Sequence, residues 1–98
     1  MAVVALASRA LTDVARLRDF LRETDRAAAD STIDLILAAV AVLEKHPLVG
    51  RSAESGLREL VISRGRTGYV ALYRFDEIRD RVLVLAVCHQ REAGYDPR

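Results

Sequence analysis

The sequence predicts an α+β fold of order β-α-α-β-β-β, a helical hairpin packed on a small, mostly antiparallel sheet. Three observations carry that expectation. Apolar residues recur at helical spacing through the first half of the chain; the second half changes to short runs rich in Val, Leu, Ile and aromatics; and the polar breaks "RGRT" and "DEIR" separate those runs. Ninety-eight residues with 51% hydrophobic content make a single domain, residues 1–98, and a chain of that length buries roughly 60–70% of its unfolded surface.

Residues Ala2 to Ala7 are short and apolar, a first strand, with Ser8 or Thr12 available to cap the helix after it. Leu11, Val14, Leu17 and Leu21 form a stripe at helical spacing, with Arg16, Asp19, Arg22 and Glu23 toward the other side, so residues 10 to 24 read as an amphipathic helix. Asp25 is placed to cap a second helix from Arg26 to Lys45. Its stripe of Ile33, Ile36, Leu37, Val40 and Leu43 is broadened by Leu35, Ala39 and Val42, which implies two neighbours, the first helix and a sheet. "KHPLVG" ends the hairpin.

Three strands joined by hairpins complete the chain: "LRELVIS" (57 to 63), "GYVALYRF" (68 to 75) and "DRVLVLAVCH" (80 to 89). Strict alternation in the last puts Val82, Val84, Ala86 and Cys88 on one side and Leu83, Leu85, Val87 and His89 on the other. Both faces are then apolar. One helical hairpin covers one face, so a partner that lays a strand or an amphipathic helix on the sheet, or a second copy of the chain, is expected on the other, the alternative being that strongly twisted strands and loops of the chain cover it themselves.

Charge narrows the function classes. Fifteen basic and fourteen acidic residues leave +1 at pH 7, too little for a whole-molecule field that would select nucleic acid or an anionic membrane. Only Lys45 among the fifteen is lysine; the other fourteen are Arg. The single cysteine, Cys88, lies in an apolar run and reads as a buried hydrophobe in a reducing compartment. The start, "MAVVALASRALTD", has no basic n-region and only a short apolar stretch, and no apolar run reaches about 18 residues, so a cytoplasmic location and no membrane contact are expected. Two histidines and one cysteine, widely spaced, do not make a zinc site, "GRSAESG" lacks the lysine of a phosphate-binding loop, and no cofactor is expected.

The polar residues that open and close the strands are Arg58, Glu59, Arg74, His89, Gln90, Arg91, Glu92 and Tyr95. In a meander Arg58 and Arg74 fall at neighbouring strand ends, whereas His89 emerges at the opposite end. Brought together, these side chains suit RNA cleavage without a metal: His89, Glu59 or Glu92 as base, Tyr95 or His89 as acid, and Arg58, Arg74 and Arg91 stabilising charge on phosphorus. The alternative is a structural role in ion pairs and caps. Tyr69 and Tyr73, four apart on one strand face, read as core aromatics, since no dense basic tract surrounds them.

The order Pro47, Gly50-Arg51, Leu57-Arg58-Glu59-Leu60, Tyr69, Tyr73-Arg74 and His89-x-Arg91-Glu92, with the preceding helical hairpin, resembles the RelE/ParE superfamily, the toxins of type II toxin–antitoxin modules. The resemblance covers nearly the whole chain. It implies the β-α-α-β-β-β fold and a cognate antitoxin whose C-terminal segment wraps the toxin in a hetero-oligomer. It also implies one of two activities. ParE-like members bind and poison DNA gyrase; RelE-like members cleave mRNA on the ribosome, and Arg58, Arg74, His89, Arg91 and Tyr95 would be the catalytic matches. The long apolar second helix, the His-x-Arg-Glu ending and the near-zero charge favour the ParE-like branch, hence a growth inhibitor acting on gyrase.

Overall fold

A computed structural model describes residues 1–64 and 67–89. Its elements are β1 (Val3–Leu6), α1 (Ser8–Arg22), α2 (Arg26–Ala41), β2 (Arg51–Ser52), β3 (Arg58–Arg64), β4 (Thr67–Asp76) and β5 (Arg81–His89). The five strands lie in the order β1-β5-β4-β3-β2. β1 runs parallel to β5, with Val4 beside Val82 and Leu6 beside Val84, and every other pair is antiparallel. The expected fold is therefore present, with one addition: the two-residue strand β2, too short for any periodicity to announce, borders β3.

Local chemistry explains the helix boundaries. Asp25 caps α2 as expected, its carboxylate accepting the Ala28 N–H at 3.2 Å. α1 departs from expectation, because its cap position is Ala7, which offers no side-chain acceptor. Ser8 is already inside the helix. The entry is held instead from the sheet side, where the Ala7 N–H donates to the Val84 carbonyl at 2.8 Å. α2 ends at Ala41 and tightens into a 3₁₀ turn over Val42–Glu44, earlier than Lys45. Of the expected stripes, Leu17, Ile36, Val40 and Leu43 are buried, but Leu11 and Leu37 are exposed. Ala10 and Asp13 take the places in α1 that close packing on β5 leaves.

The core lies between the hairpin and one sheet face. Ile36, Leu43, Tyr73, Val82, Val84 and Val87 are its largest fully sealed side chains, each contributing about 1.5–3 kcal/mol of transfer free energy as an upper bound. The alternation expected in β5 breaks at one point. Leu72 pairs with Ala86 but Tyr73 pairs with Val84, so Leu85 is an extra residue with no partner on β4. This β-bulge shifts the phase by one. Tyr69, Ala71, Tyr73 and Phe75 on β4 accordingly register with His89, Val87, Val84 and Val82, which puts Val87 and His89 on the helix side together with Val82 and Val84. Ala86 and Cys88 go to the outer face.

The outer face is also less open than strict alternation implies. Val70, Leu72, Ala86 and Cys88 are buried there. The apolar residues left exposed on that face lie away from its centre: Val61 on β3, Leu83 on β5 and Val3 on β1.

Candidate functional site

Arg58 and Tyr73 are register partners on β3 and β4 and face the helix side of the sheet. Together they hold the loop that comes after α2. The Tyr73 hydroxyl donates to the Pro47 carbonyl at 2.8 Å and accepts the Gly50 N–H at 2.9 Å. One Arg58 nitrogen, Nη1, donates to the carbonyls of Gly50 at 2.7 Å and Leu48 at 3.2 Å. Gly50 is the residue that makes this possible, since a Cβ there would stand 2.6 Å from the Tyr73 hydroxyl and 2.8 Å from the Glu59 carbonyl. Burial of the Tyr73 phenol raises its pKa, with the Gly50 N–H and the Arg58 charge acting in the opposite sense. Beside the clamp, Arg51 Nε meets Glu59 Oε1 at 3.2 Å across the β2–β3 pair.

Arg74 lies one residue further along β4, in register with Leu83, and so on the outer face. Arg58 and Arg74 are thus close along the strands but separated by the sheet. His89 ends β5 on the helix side, opposite Tyr69, whose ring meets the imidazole edge-on at a centroid distance of 5.3 Å. From Tyr73 to Tyr69 is four strand residues, roughly 13 Å, so His89 and Arg58 sit at opposite ends of the sheet. Arg91 and Tyr95, like Gln90 and Glu92, lie outside the described residues. Tyr69 and Tyr73 are both buried, in keeping with core aromatics.

Two residues to which pattern reading gave no structural role shape this arrangement. Asp13 is buried under α1 and its Oδ2 accepts the Val87 N–H at 3.0 Å, just beyond the bulge. Arg9 and Arg16 flank the same carboxylate at 3.8 and 3.9 Å. Its sequence signal is an acid at the position between Ala10 and Leu17 where an apolar residue belongs. Gly50 is the other, noted in the sequence only within the Gly50-Arg51 pair of the family resemblance. Among the described residues no three His, Cys, Asp or Glu side chains gather as a metal site, and none of their helices is long and apolar enough to cross a membrane.

Comparison with known proteins gives four findings. Residues 4–94 match the family described as ParE toxin of type II toxin-antitoxin system, parDE. The chain is 38% identical over 92 residues to Toxin RelE3 of Caulobacter vibrioides, spanning 94% of this chain and 98% of that protein. The backbone is similar to a chain of the chromosomal ParDE system from P. aeruginosa, with a TM-score of 0.76, 20% identity, and coverage of 89% of this chain and 94% of that one. It is also similar to one from the intact E. coli RelBE toxin–antitoxin complex, with a TM-score of 0.59, 12% identity, and coverage of 89% and 94%. At such identities the two structures speak for the fold alone.

Proposed function

Since the chain belongs to the RelE/ParE superfamily of type II toxin–antitoxin toxins, we propose that it inhibits growth by binding DNA gyrase and is neutralised by a cognate antitoxin in a hetero-oligomer. The observation that favours a binding mode over RNA cleavage is the dispersal, among the described residues, of Arg58, Arg74 and His89. A base, an acid and a guanidinium acting on one phosphate must converge within hydrogen-bond reach of it. Here Arg58 is engaged with the Leu48 and Gly50 carbonyls, Arg74 is on the other face, and His89 is at the far end. Support for the antitoxin comes from the ParDE and RelBE assemblies to which the fold is similar, and from the exposed Val3, Val61 and Leu83 on the face the hairpin leaves free.

The second reading is a ribosome-dependent mRNA endonuclease, favoured by the relative named Toxin RelE3 at 38% identity. The two separate in one experiment. Purified protein is added to a gyrase supercoiling reaction and to ribosomes programmed with mRNA. Loss of supercoiling with intact message is the expected outcome; cut message with normal supercoiling reverses the assignment.

A further inference from the structure

The end of α2 carries more apolar surface than its neighbours in the fold use. Residues 35 to 43 read "LILAAVAVL", with no polar side chain on any side of the helix. Ile36, Val40 and Leu43 of that run are buried, whereas Leu37, Ala38, Ala41 and Val42 are exposed, Leu37 to 46% and Val42 to 45%. A helix that is apolar all round is ordinarily enclosed by neighbours on every side. Here α1 and the sheet take one side, and water meets the other.

That exposed side is complementary to itself. Leu37 and Ala41 form one row at i, i+4 spacing, large then small; Ala38 and Val42 form the adjacent row, small then large. A second copy laid antiparallel about a two-fold axis near Ala39 and Val40 brings each Leu37 over an Ala41 and each Val42 over an Ala38. The charges follow the same axis. Asp34 stands one turn before Ala38 and Lys45 one turn after Ala41; both are exposed, and neither has an ion pair among the described residues. The antiparallel arrangement sets Asp34 of each copy opposite Lys45 of the other, so the two charges that frame the patch are matched twice. An unrelated partner would have to reproduce this reciprocity, whereas a second copy has it by symmetry.

We propose that the chain forms a symmetric homodimer through the outward side of α2, with Leu37 and Val42 seated on Ala41 and Ala38 across the axis and Asp34 paired with Lys45 at each end. The interface belongs to the helical layer, away from the outer face of the sheet, and does not rest on the toxin reading.

The test is sedimentation equilibrium of the full chain from roughly 1 µM to 1 mM, the range of small, weak interfaces. The mass should rise with concentration from the 10.8 kDa of one chain toward twice that value. Ala38→Glu, which sets two carboxylates beside the axis, should weaken association at least about tenfold. Asp34→Lys and Lys45→Asp should each weaken it by about tenfold, and the double exchange should restore it to within about threefold of the parent chain. Ile78→Glu, at an exposed apolar residue in the β4–β5 turn, should leave it unchanged, and circular dichroism confirms that each variant is folded. A chain that keeps the mass of one copy at every concentration overturns the inference. So does association lost with Ile78→Glu but indifferent to Ala38→Glu, or a double exchange no better than the single ones. A monomer whose binding to gyrase or to an antitoxin is abolished by Ala38→Glu also overturns it, and gives the patch to that partner.

Discussion

The Asp13 carboxylate on α1 accepts the Val87 N–H on β5 at 3.0 Å, joining the helical layer to the sheet where the bulge has displaced the strand. β1 ends at Leu6, beside Val84, so beyond that point the side of β5 that β1 would have paired has no β1 residue to receive its amides. Asp13 supplies the acceptor. Removing it leaves a buried N–H unmet, which costs about 1–3 kcal/mol. Asp13→Ala should lower stability by that amount in urea unfolding and speed hydrogen exchange at Val87; Asp13→Asn, which keeps an acceptor oxygen, should lose less. Equal stability of Asp13→Ala and the parent chain would contradict the assignment. The Arg9 and Arg16 contacts are long and their guanidinium ends exposed, so truncating either should change stability by less than about 1 kcal/mol.

Tyr73 and Gly50 make a second cross-link, between β4 and the loop after α2. Tyr73→Phe keeps the ring and removes both hydrogen bonds, a loss of about 1–3 kcal/mol because the Gly50 N–H stays buried. Gly50→Ala forces a Cβ into the same hydroxyl and the Glu59 carbonyl and should cost about 1–3 kcal/mol as overpacking. Thermal melts of both variants check this.

The raised pKa of Tyr73 has a pH consequence. Its folded value lies above the unfolded one, so its contribution is fully present below about pH 10 and is lost as pH rises through the folded value. Alkaline unfolding of the parent chain should therefore show a tyrosine component that Tyr73→Phe abolishes. An unchanged alkaline limb in that variant would assign the transition to other groups.

Asp76 acts in the opposite pH direction. The Arg79 N–H, the Arg79 guanidinium and the Ile78 N–H donate to it, with the Arg79 N–H first in effect, and hold its pKa below the usual value. The stabilisation of the β4–β5 turn is thus present above about pH 4 and is lost as pH falls through the depressed value. Nuclear magnetic resonance of the Ile78 and Arg79 amides should track that titration, and Asp76→Asn should remove it.

The function is tested at His89 and Arg58. If the chain acts by binding gyrase, His89→Ala should alter inhibition only as far as it alters affinity. A general acid or base in RNA cleavage would lose about 10²–10⁴-fold in rate. Arg58→Ala should act through the Pro47–Gly50 loop, and so should show a lower melting temperature together with any loss of inhibition.

The sequence by itself determined the element order, the helical hairpin and the meander, because period and turn chemistry are local and Leu17, Ile36, Val40 and the Val82–Cys88 run state them plainly. Asp25 was legible as a cap for the same reason. The tertiary structure alone decided which side of the sheet each β5 residue takes after the bulge. A one-residue slip leaves the apolar run unaltered while exchanging Val87 with Ala86, and its cause is the pairing with β4 and the acceptor on α1, seventy-four residues away from Val87 in sequence. The same holds for the candidate site. Arg58 and Arg74 could be placed near each other by topology, but that one faces the hairpin and the other the open side depends on strand phase, which only the assembled sheet sets.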